Sequence, residues 1–181
     1  MASYGWGTDN IDRIGFAVDR QGFDCVEIGL NLFQPNARLV QRTGEWNLPS
    51  LILSPLAMQL LGDGYQAGQS AAPGDVCREN LEWIPFFADG LARPGYASRL
   101  AAICEPLTSD RRSVAQGALA WHLAQSGNLL PIPGFNTEAQ RRDNQHTGPV
   151  YGALLGKVVR KAVLSRWRSR VRAPSLTPPF P

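Results

Sequence analysis

The chain has almost no lysine. Its two lysines, Lys157 and Lys161, lie near the C-terminus, and the first 150 residues contain none. Cysteine is nearly as scarce. Cys25, Cys77 and Cys104 are scattered and odd in number, which fits no zinc or disulfide spacing and suits a reducing, cytoplasmic setting. No segment approaches the roughly 18–20 continuous apolar residues of a membrane span. The opening residues "MASYGWGTDN" carry neither a basic n-region nor an apolar h-region, so no signal peptide is expected. There is no zinc pattern, no P-loop and no nucleophile elbow, and no internal repeat with convincing identity.

What is present suffices for one domain with a real core: 181 residues, 44% apolar. Eighteen glycines and 14 prolines imply many turns. Charge is unevenly spread. Residues 1–150 hold eleven basic against fifteen acidic residues, a net −4, while 151–181 hold seven basic residues and no acid, a net +7. The basic balance belongs to the tail. The chain therefore divides into a body over 1–150 and a basic tail over 151–181, helical in pattern at first and too proline-rich for helix at "APSLTPPFP".

Four short apolar runs predict strands: "ASYGW", "CVEIGLNLF" (Cys25–Phe33), "PSLILSPLA" (Pro49–Ala57) and "NLLPIPG" (Asn128–Gly134). Helical patterns between them argue for βα units and a parallel sheet. Thr8 or Asp9 is expected to cap a helix bearing Ile11, Ile14 and Val18. "NARLVQRTGEW" and the region from about Gly95 to Cys104 are weaker candidates. In "SDRRSVAQGALAWHLAQSG", Ser109 is expected to cap and Gly127 to end a helix with Val114, Ala118 and Trp121 on one face. Thr137 and Gln140 have capping-box spacing. Met58–Pro94 is long for a loop, and such loops are usually functional or poorly ordered.

"PIPGFNTEAQRRDN" (Pro131–Asn144) places a tight turn, a helix start and Arg141–Arg142 together. A phosphate site and an ordinary strand-to-helix turn both account for it. "LSPLAMQLLGDGY" (Leu53–Tyr65) is a second strand end with a glycine-bearing loop, and ligands collect at strand C-termini in parallel β/α folds. His122, inside a strong helix, reads as structural. His146 has no partner at a catalytic spacing. The basic tail fits an anionic membrane surface, nucleic acid, or a solvated helix; no specific nucleic-acid or membrane partner is expected.

In this order, "YGWGTDN", "VEIGLN", "SPLAMQLL" and "VAQGALAWHLAQSGNLLPIPGFNTEAQRRDN", with "DVCRENLEW" and a later "DG" between, resemble the C-terminal half of an aldo/keto reductase. The similarity runs from about Ala2 to Gly148, and its last segment is the most specific. The resemblance implies an α/β fold: a partial (β/α)8 TIM barrel of about four βα units, plus the basic extension. It also implies NADP(H)-dependent reduction of an aldehyde or ketone. By position, Ile132, Gly134, Phe135, Asn136, Gln140, Asp143 and Asn144 would hold the adenosine end, with Asn144 on the adenine. The turn carrying Ser54, Pro55, Leu56, Met58 and Leu60 would line the pyrophosphate. Glu27 stands where a glutamine usually holds the nicotinamide amide.

The chain also departs from the family. Its catalytic Asp, Tyr, Lys and His all precede the matched region and have no counterpart here, so no catalytic residue and no metal site is assigned. Gln59 replaces a glycine, Asn136 a frequent Arg or Lys, and Leu30 a frequent aromatic. Half a barrel would leave edge strands near Tyr4 and Leu130. The expected partners are a carbonyl substrate, a separately encoded N-terminal half, or a second copy joined through those edges. A non-catalytic nucleotide-binding module is the alternative.

Overall fold

A computed structural model describes residues 3–148; the tail expected over 151–181 lies outside the described residues. The architecture is mixed α/β, with a four-stranded parallel sheet and five α-helices. The strands β1 (Tyr4–Gly7), β2 (Phe23–Gly29), β3 (Ser50–Leu53) and β6 (Leu129–Pro131) lie in the order β1-β2-β3-β6. Gly7 pairs with Glu27, Glu27 with Leu51, and Leu51 with Leu130, which fixes the register across the sheet. The four strands fall where four apolar runs stand in the sequence, and β1 and β6 are its edges.

The ends of the elements differ from the sequence pattern for local reasons. Asn10, not Thr8 or Asp9, caps α1 (Ile11–Ala17), its side chain accepting from Arg13 N at 3.0 Å. Asp9 is engaged elsewhere: it accepts from Gly29 N at 2.7 Å at the end of β2. The second strand stops at Gly29 because Asn31 turns the chain, its side-chain oxygen accepting from Phe33 N and Gln34 N at 3.0 Å each. The third stops before Ser54, whose φ is +49°.

Asn36 caps α2 (Ala37–Glu45) through Leu39 N, and Pro94 opens α3 (Pro94–Leu107). Ser109 does not start the next helix. Residues Ser109–Arg111 form a separate 3-10 turn ending at a left-handed Arg111. Ser113 caps α4 (Val114–Gln125) instead, in a capping box with Gln116. This helix ends at an extended Ser126 rather than through Gly127. The box at Thr137 and Gln140 is formed and opens α5 (Glu138–Gln145).

Two apolar clusters carry the fold. In the first, Ile14 and Ala17 of α1 and Leu39 and Val40 of α2 cover Val26, Ile28, Ile52 and Leu129 of the sheet. Strand alternation places Cys25, Glu27, Gly29, Leu51 and Leu53 on the opposite face, where Leu53 is 40% exposed. The second cluster joins Leu56, Ala57, Leu60 and Leu61, just after β3, to Cys77, Ile84, Phe86, Phe87, Leu107, Ala118 and Leu119. The long segment after Met58 therefore packs as a second core, with a 3-10 turn (Val76–Arg78) and a hairpin of β4 (Phe87–Ala88) and β5 (Leu91–Ala92).

Candidate functional site

The C-terminal ends of β3 and β6 are neighbours, and the chain leaving each forms one side of a cleft of about 490 Å³. From β3 come Ser54, Pro55, Leu56, Met58 and Gln59; from β6 come Ile132, Gly134, Asn136 and Gln140. Gln59 spans the two sides, its Nε2 donating to the Gly134 carbonyl at 3.4 Å. The far wall is the long segment after Met58, with Tyr65, Gln69, Ser70 and Asp75. A second cleft of about 310 Å³ adjoins it. Leu56, Gln59 and Gln140 line it from the side it shares with the first, and Asp63, Asp143 and Asn144 also line it.

The turn after β3 is held in an uncommon conformation. Ser54, Ala57, Met58 and Gln59 have φ of +49°, +47°, +54° and +70°. Left-handed backbone costs a non-glycine residue about 1 kcal/mol or more, so packing must hold it. Leu56 and Ala57 are buried in the second core. His122 of α4 is fully buried, with Nε2 at 3.3 Å from the Pro55 carbonyl. Burial pulls the His122 pKa down to about 4, against a smaller upward pull from that carbonyl. The ring is neutral and braces the turn, a structural role. Among the described residues, Met58 N–H and Gln59 N–H donate to no backbone carbonyl.

The other side is built on α5. Gln140 Oε1 accepts from Asn136 N at 2.8 Å and Thr137 N at 3.2 Å, which fixes the turn that follows β6. Asp143 ties α5 to the start of α4, accepting from Ser113 Oγ at 2.6 Å and Gln116 Nε2 at 2.9 Å. Asn144 is 5% exposed, and its Nδ2 has no hydrogen-bond partner. An unpaired buried donor costs about 1–3 kcal/mol, and this one belongs to a residue lining the second cleft.

Ten of the thirteen residues picked out by position line one cleft or the other. Glu27, Leu60 and Phe135 line neither. Glu27 is half-buried on β2, Leu60 is fully buried in the second core, and Phe135 is 53% exposed. Leu30 is buried in the first cluster. Arg141 and Arg142 turn to their own helix: Arg141 Nε donates to Glu138 Oε2 at 2.7 Å and Arg142 Nε to Glu138 Oε1 at 3.0 Å. These bonds hold the Glu138 carboxyl down at about 2. Among the described residues no lysine or arginine lines either cleft, whereas Asp63, Asp75 and Asp143 do. All three accept hydrogen bonds within the fold, Asp63 from Val114 N and Asp75 from Cys77 N, each at 2.8 Å.

Sequence reasoning took in Tyr65 only as the end of the Leu53–Tyr65 stretch and Asp75 only as the start of "DVCRENLEW", and it did not single out Gln69 or Ser70. For Gln69 and Ser70 the signal was the unusual length of the segment that carries them. Cys77 also lines the cleft, but burial and the Asp75 carboxylate push its thiol up to about 12, so it is no nucleophile at neutral pH. The described residues contain no group of three His, Cys, Asp or Glu side chains placed to hold a metal, and no helix long and apolar enough to cross a membrane. The chain matches no model of a known protein family and no curated protein.

Proposed function

We propose that the chain is the nucleotide-binding part of an aldo/keto reductase-like oxidoreductase, and that its sheet is a partial (β/α)8 barrel. A sheet that ends in two edge strands, with helices packed on the Val26–Ile52 face, is what half of such a barrel provides. NADP(H) would lie across the ends of β3 and β6. The pyrophosphate would meet the backbone N–H groups of Met58 and Gln59, since consecutive amides in a turn make an anion-binding concavity. The adenosine end would meet α5.

The observation that carries this reading is the buried, partnerless Nδ2 of Asn144 at the second cleft. An asparagine amide matches the donor and acceptor of an adenine edge. Binding would satisfy a donor that the free protein leaves unpaired. The catalytic Asp, Tyr, Lys and His of the family have no counterpart in the chain, so it binds without turnover. Reduction of a carbonyl substrate would need a separately encoded N-terminal half, and the three unpaired thiols suit a cytoplasmic protein.

The test is titration of the full chain with NADPH, read by nicotinamide and tryptophan fluorescence. Saturable binding is expected, and Asn144→Leu should weaken it tenfold or more. Signals that do not change with NADPH remove the reading, and a leucine variant that binds as well as wild type removes the adenine assignment. The lysine-free body favours a second reading, a nucleotide-binding module with no catalytic role. The two part when a matching N-terminal half is added with an aromatic aldehyde: only the first gives NADPH oxidation.

A further inference from the structure

The two edges of the sheet are chemically different. At β6, Asn128 O accepts from Ser50 N at 2.8 Å and Ile132 N donates to Ile52 O at 3.1 Å. Even-numbered residues therefore turn their main chain to β3, and Leu129, Pro131 and Pro133 turn theirs outward. Both prolines lack an N–H, and Leu129 N–H already donates to Ser126 O at 3.3 Å. All three β6 residues are buried. Proline at outward positions is a recognised way of closing a sheet edge.

The β1 edge carries no proline, and its pairing with β2 shifts register between Tyr4 and Gly5. Tyr4 N donates to Gly22 O at 2.8 Å and Thr8 N to Glu27 O at 3.0 Å, so even-numbered residues face β2. Ser3, Gly5 and Gly7 turn outward with three N–H groups and three carbonyls, none of them hydrogen-bonded among the described residues. All four residues of β1 are exposed, and Tyr4 and Trp6 are 49% and 41% exposed. Residues 3–8 carry no charge. The first charge, Asp9, is bonded to Gly29 N.

We propose that β1 pairs with β1 of a second copy, antiparallel, about a two-fold axis at Gly5, making one eight-stranded sheet across a dimer. In this register Gly5 faces Gly5 of the second copy and Ser3 faces Gly7, so every outward N–H and carbonyl of β1 is paired. Tyr4 of each copy faces Trp6 of the other, an aromatic cross-strand pair. Identical strands pair this way without opposing like charges, and the interface closes on itself. Joining β1 to β6 instead would leave half of that ladder without donors. The proposal does not rest on the cofactor reading, because β1 lies at the far side of the sheet from β6.

The test is the mass of the full chain in solution as a function of concentration, with amide hydrogen exchange at Gly5 and Gly7. A dimer whose Gly5 and Gly7 amides gain protection as it forms is expected. Gly7→Pro repeats the guard found at β6, removing an outward N–H and no bond to β2. The added Cβ meets the Glu27 side chain, its carboxylate at 3.2 Å and its Cβ at 4.0 Å, and no backbone atom. This variant should be monomeric with unchanged circular dichroism; if it does not fold, the exchange result on the wild-type chain decides alone. A wild-type monomer at every concentration, an oligomer that leaves both amides unprotected, or a folded Gly7→Pro dimer overturns the proposal.

Discussion

His122 couples the stability of the fold to pH, and the effect can be worked from its surroundings. The ring is fully buried in α4 and braces the turn after β3 through the Pro55 carbonyl. Trp121 packs edge-on against it at 5.0 Å. Its pKa falls from 6.5 to about 4 in the folded state because burial disfavours the charged form. Above the unfolded value both states are neutral and pH has no effect through this group. As pH falls from 6.5 towards 4, the unfolded chain takes up a proton that the folded chain refuses. Stability is lost across that window, and the loss levels off once the folded ring protonates. A gap of about 2.5 units is worth about 3 kcal/mol. That is a large share of the roughly 5–15 kcal/mol that holds a domain together. His122→Gln keeps a donor for Pro55 and removes the titration. Urea unfolding of both proteins from about pH 7 to about pH 4 should show wild type losing about 3 kcal/mol more than the variant. The carboxylates and His146 are common to both and cancel. Parallel pH profiles would refute the reasoning, since they would mean that His122 takes up its proton as readily folded as unfolded.

Gly117→Ala should destabilise the domain by about 2 kcal/mol although alanine is the better helix former. A Cβ there would lie 2.7 Å from the carbonyl carbon of Leu107 and 2.8 Å from its Cα, where α3 meets α4. A urea midpoint equal to or above wild type would show that the helices separate at little cost. Gln59→Gly should leave stability within about 1 kcal/mol, because relief of a left-handed residue offsets the lost Gly134 contact and the looser unfolded chain. It should also bind NADPH several-fold more tightly by opening the span between the two sides; weaker binding would mean that Gln59 itself serves the ligand.

Much of this fold was legible because it is written in local signals. Apolar runs at four places marked four strands, and the spacing of Thr137 and Gln140 marked the start of α5, whereas the caps at Asn10 and Ser113 lie beyond the expected Thr8 or Asp9 and Ser109. Where expectation and structure part, a longer-range demand decides. Asp9 fits a cap by spacing, but Gly29 N lies at hand across the sheet and takes its carboxylate. Ser109 fits a cap too, but the 3-10 turn through Arg111 separates it from α4. The cleft was half legible. Order and spacing along the chain placed the β3 and β6 sides together. The wall from Tyr65 to Cys77 carries no periodic pattern and reaches its place by tertiary packing of Cys77, Ile84 and Phe86, which no local rule predicts. Neither Glu27 nor Leu60 announces in sequence that it faces away from the cleft.

The missing lysines regain importance at the site. Among the described residues, both clefts are lined without a positive side chain, and the two nearby arginines are spent on Glu138. The three lining aspartates are each held by hydrogen bonds from within the fold. What the clefts offer a ligand is therefore neutral: the side-chain amides of Asn136, Gln140 and Asn144, and the backbone N–H groups of a left-handed turn. Neutral hydrogen bonds are roughly half as strong as charge-assisted ones and far less sensitive to salt. A dinucleotide bound here would be held by its shape and its adenine edge more than by its phosphates. Discrimination for an extra 2′-phosphate would be weak, since a full charge would find no opposite charge beside it. On this argument the left-handed turn after β3 matters more than any charged residue. It costs the fold strain and brings free donors to the cleft, and His122 and the second core are what keep it in place.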